Sequence, residues 1–294
     1  MDVFLQLVIS GIMTGGIYAL VALGFVLIYK STGVFNFAQG DILMVGAYVC
    51  WACMVQLSMP LWLSFLCTFI FAVALGLVVE RFTLRPLLGQ PILAAVMITL
   101  ALGTVINGLV TIIWGSRQEV LPDFFPREPL QLGGIMVSQQ LLLGFAIAVG
   151  LFAAFVFFFR RSKLGLGMRA TAEDQEVSRS LGIRAQNIFA LAWVIACIVA
   201  VVGGVLLGSV NGVNMNLSYL GLKAFPVVIL GGLDSVPGAL IAGLIVGVLE
   251  KLATGYIDPV VGGGFAEVFP FIVLLIVLMV RPYGLFGLQR IERI

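Results

Sequence analysis

The residues able to do chemistry in this chain are few, and their types argue for passage rather than catalysis. There is no histidine, so neither an imidazole base nor an imidazole metal ligand is present. Cys50-Trp-Ala-Cys53 has the spacing of a metal or redox pair. Yet Cys50, Cys53, Cys67 and Cys197 all lie in apolar stretches, where thiols pack as small core residues. No Gly-x-x-x-x-Gly-Lys-Ser/Thr loop occurs, so the chain does not itself cradle nucleotide phosphates in that manner. The acids and bases that approach membrane depth come down to Asp41, Asp234 and the neighbours Glu250 and Lys251, whose positions suggest the membrane interface rather than the midplane. A membrane enzyme is therefore the least supported class. No basic cluster with interleaved aromatics suggests nucleic acid.

What remains is a set of amides and polar breaks that could carry a solute. Asn36, Gln39, Asn107, Asn211 and Asn214 offer hydrogen-bonding steps for a zwitterionic or amide solute, or equally serve as helix-to-helix glue. Asn36-Phe-Ala-Gln39-Gly40-Asp41 and Gly231-Gly232-Leu-Asp234-Ser-Val-Pro-Gly238 each interrupt apolar sequence with a polar, glycine-bearing turn and then restart a helix. Such backbone is tolerated at membrane depth against protein or a watery cavity. Asp41 and Asp234 hold comparable places in the two breaks, a hint of internal duplication.

The densest charge lies at about 160–187. A helix is expected from Ala172 to Leu181, with Thr171-Ala-Glu173-Asp174 as a capping box and Gly182 as a left-handed C-terminal cap. Glu173, Asp174 and Glu176 fall in its first turns and Arg179 in its last. Its apolar stripe, Ala172, Val177 and Leu181, is thin and suits docking on a partner; the plain alternative is a solvated loop helix.

These elements belong to a membrane protein. The chain is 61% hydrophobic and 10% charged, with a mean hydropathy of +1.17, outside the range of soluble domains. Val3 to Tyr29, Ile42 to Val79, Pro86 to Ser116, Pro129 to Phe159 and Ala185 to Leu222 carry no charge, and about 20 apolar residues suffice for one crossing. Spans are expected at about 4–29, 42–57, 60–79, 92–114, 140–159, 188–209, 239–249 and 268–280. A short stretch at 219–230, broken by Pro226, either crosses or re-enters. The fold class is an all-α polytopic bundle of eight or nine segments, including short broken ones, in one transmembrane domain over 1–294. The first run lacks a basic flank and a cleavage pattern and is expected to be retained. A loop with Arg117, Glu119, Asp123, Arg127, Glu128 and three prolines reads as irregular and aqueous.

With alternating crossings, and with Tyr219 to Leu230 crossing or penetrating deeply, Lys30, Arg81, Arg85, Arg160, Arg161, Lys163, Arg169, Arg179, Arg184, Arg281, Arg290 and Arg293 share one side. Arg117, Arg127, Lys223 and Lys251 take the other. The bias puts the charged arm and the C-terminus in the cytoplasm and the N-terminus outside.

Asn36-Phe-Ala-Gln-Gly-Asp41, Met168-Arg-Ala-Thr-Ala-Glu-Asp-Gln-Glu-Val-Ser-Arg-Ser-Leu-Gly182 and Gly231-Gly-Leu-Asp-Ser-Val-Pro-Gly-Ala239 together resemble the LivH-type permease subunits of bacterial branched-chain amino-acid ABC importers. The resemblance implies an inner-membrane subunit paired with a homologous second permease. It also implies two ATPase subunits, where ATP and magnesium would bind, and an external solute-binding protein. The chain itself would bind no cofactor. Carried over residue by residue, it makes Arg169, Glu173, Asp174, Ser178 and Gly182 the coupling candidates. The solute could be leucine, isoleucine or valine, or urea, amides or other carboxylates. An ion-coupled secondary transporter and a non-transporting scaffold are the rival readings.

Overall fold

The computed structural model describes residues 2–87, 90–126, 129–132 and 135–287. Arg127, Glu128, Arg290 and Arg293, used in the charge reading, lie outside them. Among the described residues, six helices are long and apolar enough to cross a membrane: Val3–Thr32, Leu61–Leu84, Leu93–Trp114, Gln139–Arg161, Ala185–Asn211 and Val236–Tyr256. Asn216–Gly231 and Phe265–Val280 are shorter apolar helical stretches.

In chain order, α1 (Asp2–Thr32) leads through the first polar break to α2 (Gln39–Trp51), which ends in a π-helical turn, Ala52–Gln56. Next come α3 (Leu61–Val79), with its own π-helical end Glu80–Leu84, and α4 (Ile92–Trp114). Prolines 60 and 91 precede α3 and α4, and Gly115 at φ +80° terminates α4: proline starts these helices and glycine stops them. A hairpin of β1 (Pro129–Leu132) and β2 (Ile135–Ser138), paired antiparallel, then leads into α5 (Gln139–Arg161). After it follow α6 (Lys163–Glu173), α7 (Gln175–Ser180), α8 (Ala185–Asn211), α9 (Asn216–Leu222) and α10 (Ala224–Gly231). The chain closes with α11 (Val236–Tyr256), α12 (Asp258–Val261) and α13 (Phe265–Val280).

The contacts divide the chain into two compact units. Unit 1 takes Met1–Val26, Phe125–Val149 and Lys223–Ile294. Its centre is the crossing of α1 and α11, made by glycines on both helices. A Cβ on Gly11 would stand 2.6 Å from Val248 Cα, and one on Gly247 would stand 2.5 Å from Gly15 Cα. Small residues let backbones approach where dispersion, rather than water exclusion, drives packing. The C-terminal segment returns to cover the α10 end, with Leu285 N–H donating to Leu230 O at 2.8 Å and Phe286 N–H to Gly231 O at 3.2 Å.

Unit 2 takes Leu27–Phe124 and Gly150–Leu222. The short α2 is buried on all sides, from Gln39 to Trp51, apart from Val45 and Val49. Gly46 sits beneath Val201 of α8, and Gly204 of α8 lies against Leu43. Ile28, Val79, Leu84, Trp193 and Ala196 form an apolar knot at one end of this unit.

Several expectations are corrected. The charged arm is two helices rather than one from Ala172 to Leu181. Ser162 caps α6 by accepting from Gly165 N–H at 2.8 Å, and Asp174 turns extended (φ −151°, ψ 116°) before α7 begins. Thr171-Ala-Glu-Asp is thus the end of one helix and the cap of the next: Asp174 Oδ1 accepts from Val177 N–H at 3.0 Å. The C-terminal cap falls where the sequence put it, with Gly182 at φ +85° and Ile183 N–H bonded back to Ser178 O. The second broken stretch bends at Lys223, not at Pro226. Proline in the first turn of α10 replaces an N–H that has no intrahelical acceptor, so it starts the helix instead of breaking it. Asp41 lies in the first turn of α2, not in the turn before it. The hairpin within the aqueous loop had no counterpart in the sequence reading.

Gly182 offers a clean backbone test. No atom stands within 4 Å of a Cβ placed there, so Gly182→Ala meets backbone strain alone, about 1 kcal/mol. The expected result is a slightly lowered denaturation midpoint in detergent, without loss of the folded state.

Candidate translocation and coupling sites

Inside unit 2 the first polar break folds into a buried cluster around the N-terminus of α2. Asn36 Oδ1 accepts from Ala38 N–H at 3.1 Å, while its Nδ2 donates to Gln39 Oε1 at 2.9 Å. Gln39 Nε2 in turn donates to Ala196 O on α8 at 3.2 Å. Asn36 and Gln39 are 1% and 0% exposed, so each of these bonds satisfies a group that water cannot reach. Ala38 supplies no side-chain cap; Asp41 in the first turn provides the negative charge that the helix dipole favours there.

Asp41 is the junction of this cluster. Its Oδ1 accepts from Ser218 Oγ on α9 at 2.6 Å and from Asn107 Nδ2 on α4. Asn107 also donates to Gly103 O at 3.2 Å, one turn earlier on α4. Among the described residues both side-chain donors to Asp41 are neutral, so hydrogen bonds rather than a cation hold the carboxylate there. Glycines make the approach possible. Gly40 and Gly221 meet backbone to backbone where α2 crosses α9, and Gly103 leaves the space that the carboxylate fills. Thr99 Oγ1 extends the cluster, accepting from Phe37 N–H at 3.4 Å.

The structure thus brings together Asn36, Gln39, Gly40, Asp41 and Asn107. It places the other candidates elsewhere. Asn211 donates to Leu207 O at 3.2 Å within its own helix. Asn214 Oδ1 accepts from Asn216 N–H at 2.9 Å and so caps α9. Gly231, Gly232 and Asp234 belong to unit 1, at the corner between α10 and α11. Gly232 there adopts φ +97°, and Ser235 Oγ caps α11 by accepting from Gly238 N–H at 3.1 Å. Glu250 pairs with Lys223 rather than with its neighbour Lys251. Ser218, Thr99, Tyr18 and Lys223 were missed. For Lys223 there was a signal, a lone cation between apolar stretches; a single hydroxyl such as Ser218 gives none.

The coupling candidates divide by face. Glu173, Asp174 and Gly182 are exposed, as are Leu164, Leu166, Val177 and Leu181. Ser178 is buried at 2% exposure. Arg169 faces inward: its guanidinium donates to Phe159 O and lies 5.5 Å from the Phe159 ring centre. Lys30 Nζ stands 5.7 Å from the same ring. A cation over an aromatic face and a charge-assisted bond to the carbonyl together tie α6 to the end of α5.

The chain matches, over residues 7–278, the family described as the branched-chain amino acid transport system / permease component. It belongs to that family. BraD of Pseudomonas aeruginosa, a high-affinity branched-chain amino acid transport system permease protein, is 32% identical over 99% of this chain and 98% of its own. LivH of Salmonella typhimurium, described in the same words, is 33% identical over 99% of this chain and 98% of its own. The probable branched-chain amino acid transport permease protein LivH of Methanocaldococcus jannaschii is 26% identical over 97% and 93%. Among solved structures, PsaBC from Streptococcus pneumoniae in complex with Fab aligns with a TM-score of 0.49 at 12% identity, over 95% of this chain and 92% of that one. The chain is therefore a multi-pass permease component of a transport system and not an enzyme. The family that the three motifs resembled is the family found.

Proposed function

We propose that this permease forms half of the translocation pathway of a binding-protein-dependent ABC importer for branched-chain amino acids in a bacterial inner membrane. A homologous second permease completes the path, an external binding protein delivers the solute, and two ATPase subunits hold ATP and magnesium and drive the cycle. The six long helices, α2, α13 and the α9–α10 stretch make eight or nine segments, according to whether α9–α10 crosses. The N-terminus lies outside, and the arm of α6 and α7 and the C-terminus lie in the cytoplasm.

The observation that carries this reading is the arm. It presents Glu173, Asp174 and exposed leucine and valine side chains outward while Arg169 and a buried Ser178 hold it from within. A rigid projection with an acidic and apolar face is what a moving partner can push on. Asn36, Gln39, Gly40, Asp41 and Asn107 line or gate the path within unit 2. Asn211, Asn214, Gly231, Gly232 and Asp234 contribute at its polar connections.

The test is reconstitution of the permease with its partners in proteoliposomes. Leucine uptake is expected to need ATP inside and binding protein outside. Uptake by the permease alone down an ion gradient, with no nucleotide hydrolysed, would mean a secondary transporter.

A further inference from the structure

Unit 1 encloses a polar cluster that the amide path does not use. Lys223 Nζ stands 2.7 Å from Glu250 Oε1, with the two side chains 12% and 11% exposed. The Tyr18 hydroxyl donates to the same oxygen at 3.4 Å. Three elements meet here: Tyr18 from the middle of α1, Lys223 from the turn that opens α10, and Glu250 from α11.

Stability does not account for this arrangement. Burying an ion pair costs several kcal/mol per ion, and a well-packed apolar pair of similar volume often holds a fold as well or better. Charges inside a membrane protein are expensive and are kept for function. The pair is also incomplete. Glu250 Oε2 is buried and has no hydrogen-bond partner among the described residues. Lys223 brings three N–H donors, of which Glu250 Oε1 takes one. The unused acceptor and the unused donors lie side by side on a joint of the backbone. One class of small solute supplies both missing partners: a zwitterion, whose ammonium donates to Oε2 and whose carboxylate accepts from Lys223. The exchange leaves the buried charge balanced. A neutral solute such as urea or a short amide could not replace either ion and would leave both exposed to an apolar surround.

Resting on the importer reading, we propose that Lys223 and Glu250 form a solute gate in unit 1. The gate is closed by their ion pair in this structure and opens by exchanging partners with a zwitterionic amino acid. Tyr18 holds Glu250 in place during the exchange.

The experiment uses the complete transporter, with leucine and the neutral isovaleramide as probes. Wild-type leucine uptake driven by ATP stands as the separate check on the importer reading; without it both the reading and the gate fall. Given that uptake, the Lys223→Met/Glu250→Met double variant keeps the volume and removes the charges. It is expected to lose leucine uptake more than tenfold while its solute-independent ATP hydrolysis rises severalfold. Without binding protein, leucine but not isovaleramide is expected to raise the thermal midpoint of the wild type, and neither to raise that of the double variant. Wild-type leucine uptake by the double variant overturns the gate, as does an equal thermal shift from both probes. If the double variant does not reach the membrane, Glu250→Gln decides, since it preserves shape and the bonds to Oε1: unchanged leucine uptake in that variant overturns the proposal.

Discussion

Glu173→Lys is expected to cut the ATP hydrolysis stimulated by the binding protein more than tenfold while leaving the permease folded. The position makes the two effects separable. Glu173 is exposed and is the last residue of α6, where an acid opposes the helix dipole and a lysine favours it by about 0.3–1 kcal/mol. Locally, the substitution stabilises. If the arm docks on an ATPase partner as proposed, the substitution reverses the charge presented there, and mismatched charge across an interface costs several kcal/mol. About 1.4 kcal/mol already accounts for a factor of ten. Asp174 needs a different control because it also caps α7 through Val177 N–H. Asp174→Asn keeps that cap and removes the charge, whereas Asp174→Ala loses the cap at about 1 kcal/mol. Stimulated hydrolysis should fall in Asp174→Asn with no change in melting. Full stimulation in Glu173→Lys, measured in proteoliposomes, would remove the arm from the coupling route.

That the arm is legible in part shows which signals a sequence carries. The fourth span was readable to the residue, Ile92 to Trp114, because Pro91 and Gly115 bracket a largely apolar run without a charge. The arm was located by its charge but mis-segmented. Thr171-Ala-Glu-Asp174 reads as a capping box, but the chain is already helical there, because α6 starts behind Ser162, whose Oγ accepts from Gly165 N–H. Pro226 was over-read for a similar reason: a proline ends a helix from its interior and begins one from its first turn. The polar cluster was half visible. Asn36, Gln39 and Asp41 announce themselves together, but Asn107 and Ser218 lie 66 and 177 residues from Asp41. No local periodicity encodes such a meeting. Gly103 carries no local signal of its own, and its role appears only when the carboxylate beside it is known.

Gly103 and Asp41 accordingly give the sharpest test of the buried cluster. Gly103→Ala places a Cβ against Asp41 Oδ2, and the carboxylate cannot swing aside without giving up Ser218 and Asn107. Overpacking of this kind costs about 1–3 kcal/mol. Asp41→Ala removes the clash but strands the buried Ser218 hydroxyl, at about 1–3 kcal/mol, while Asn107 keeps its bond to Gly103 O. Asp41→Asn should be mild, because both donors end on Oδ1 and an asparagine with its oxygen there keeps both. The two damaging substitutions act through one atom group, so their costs should not add. Gly103→Ala, expensive alone, is expected to be nearly neutral in the Asp41→Ala background, as read from denaturation in detergent. If the two costs simply sum, Gly103 and Asp41 are independent, and the carboxylate is not the fixed centre that α2, α4 and α9 are built around.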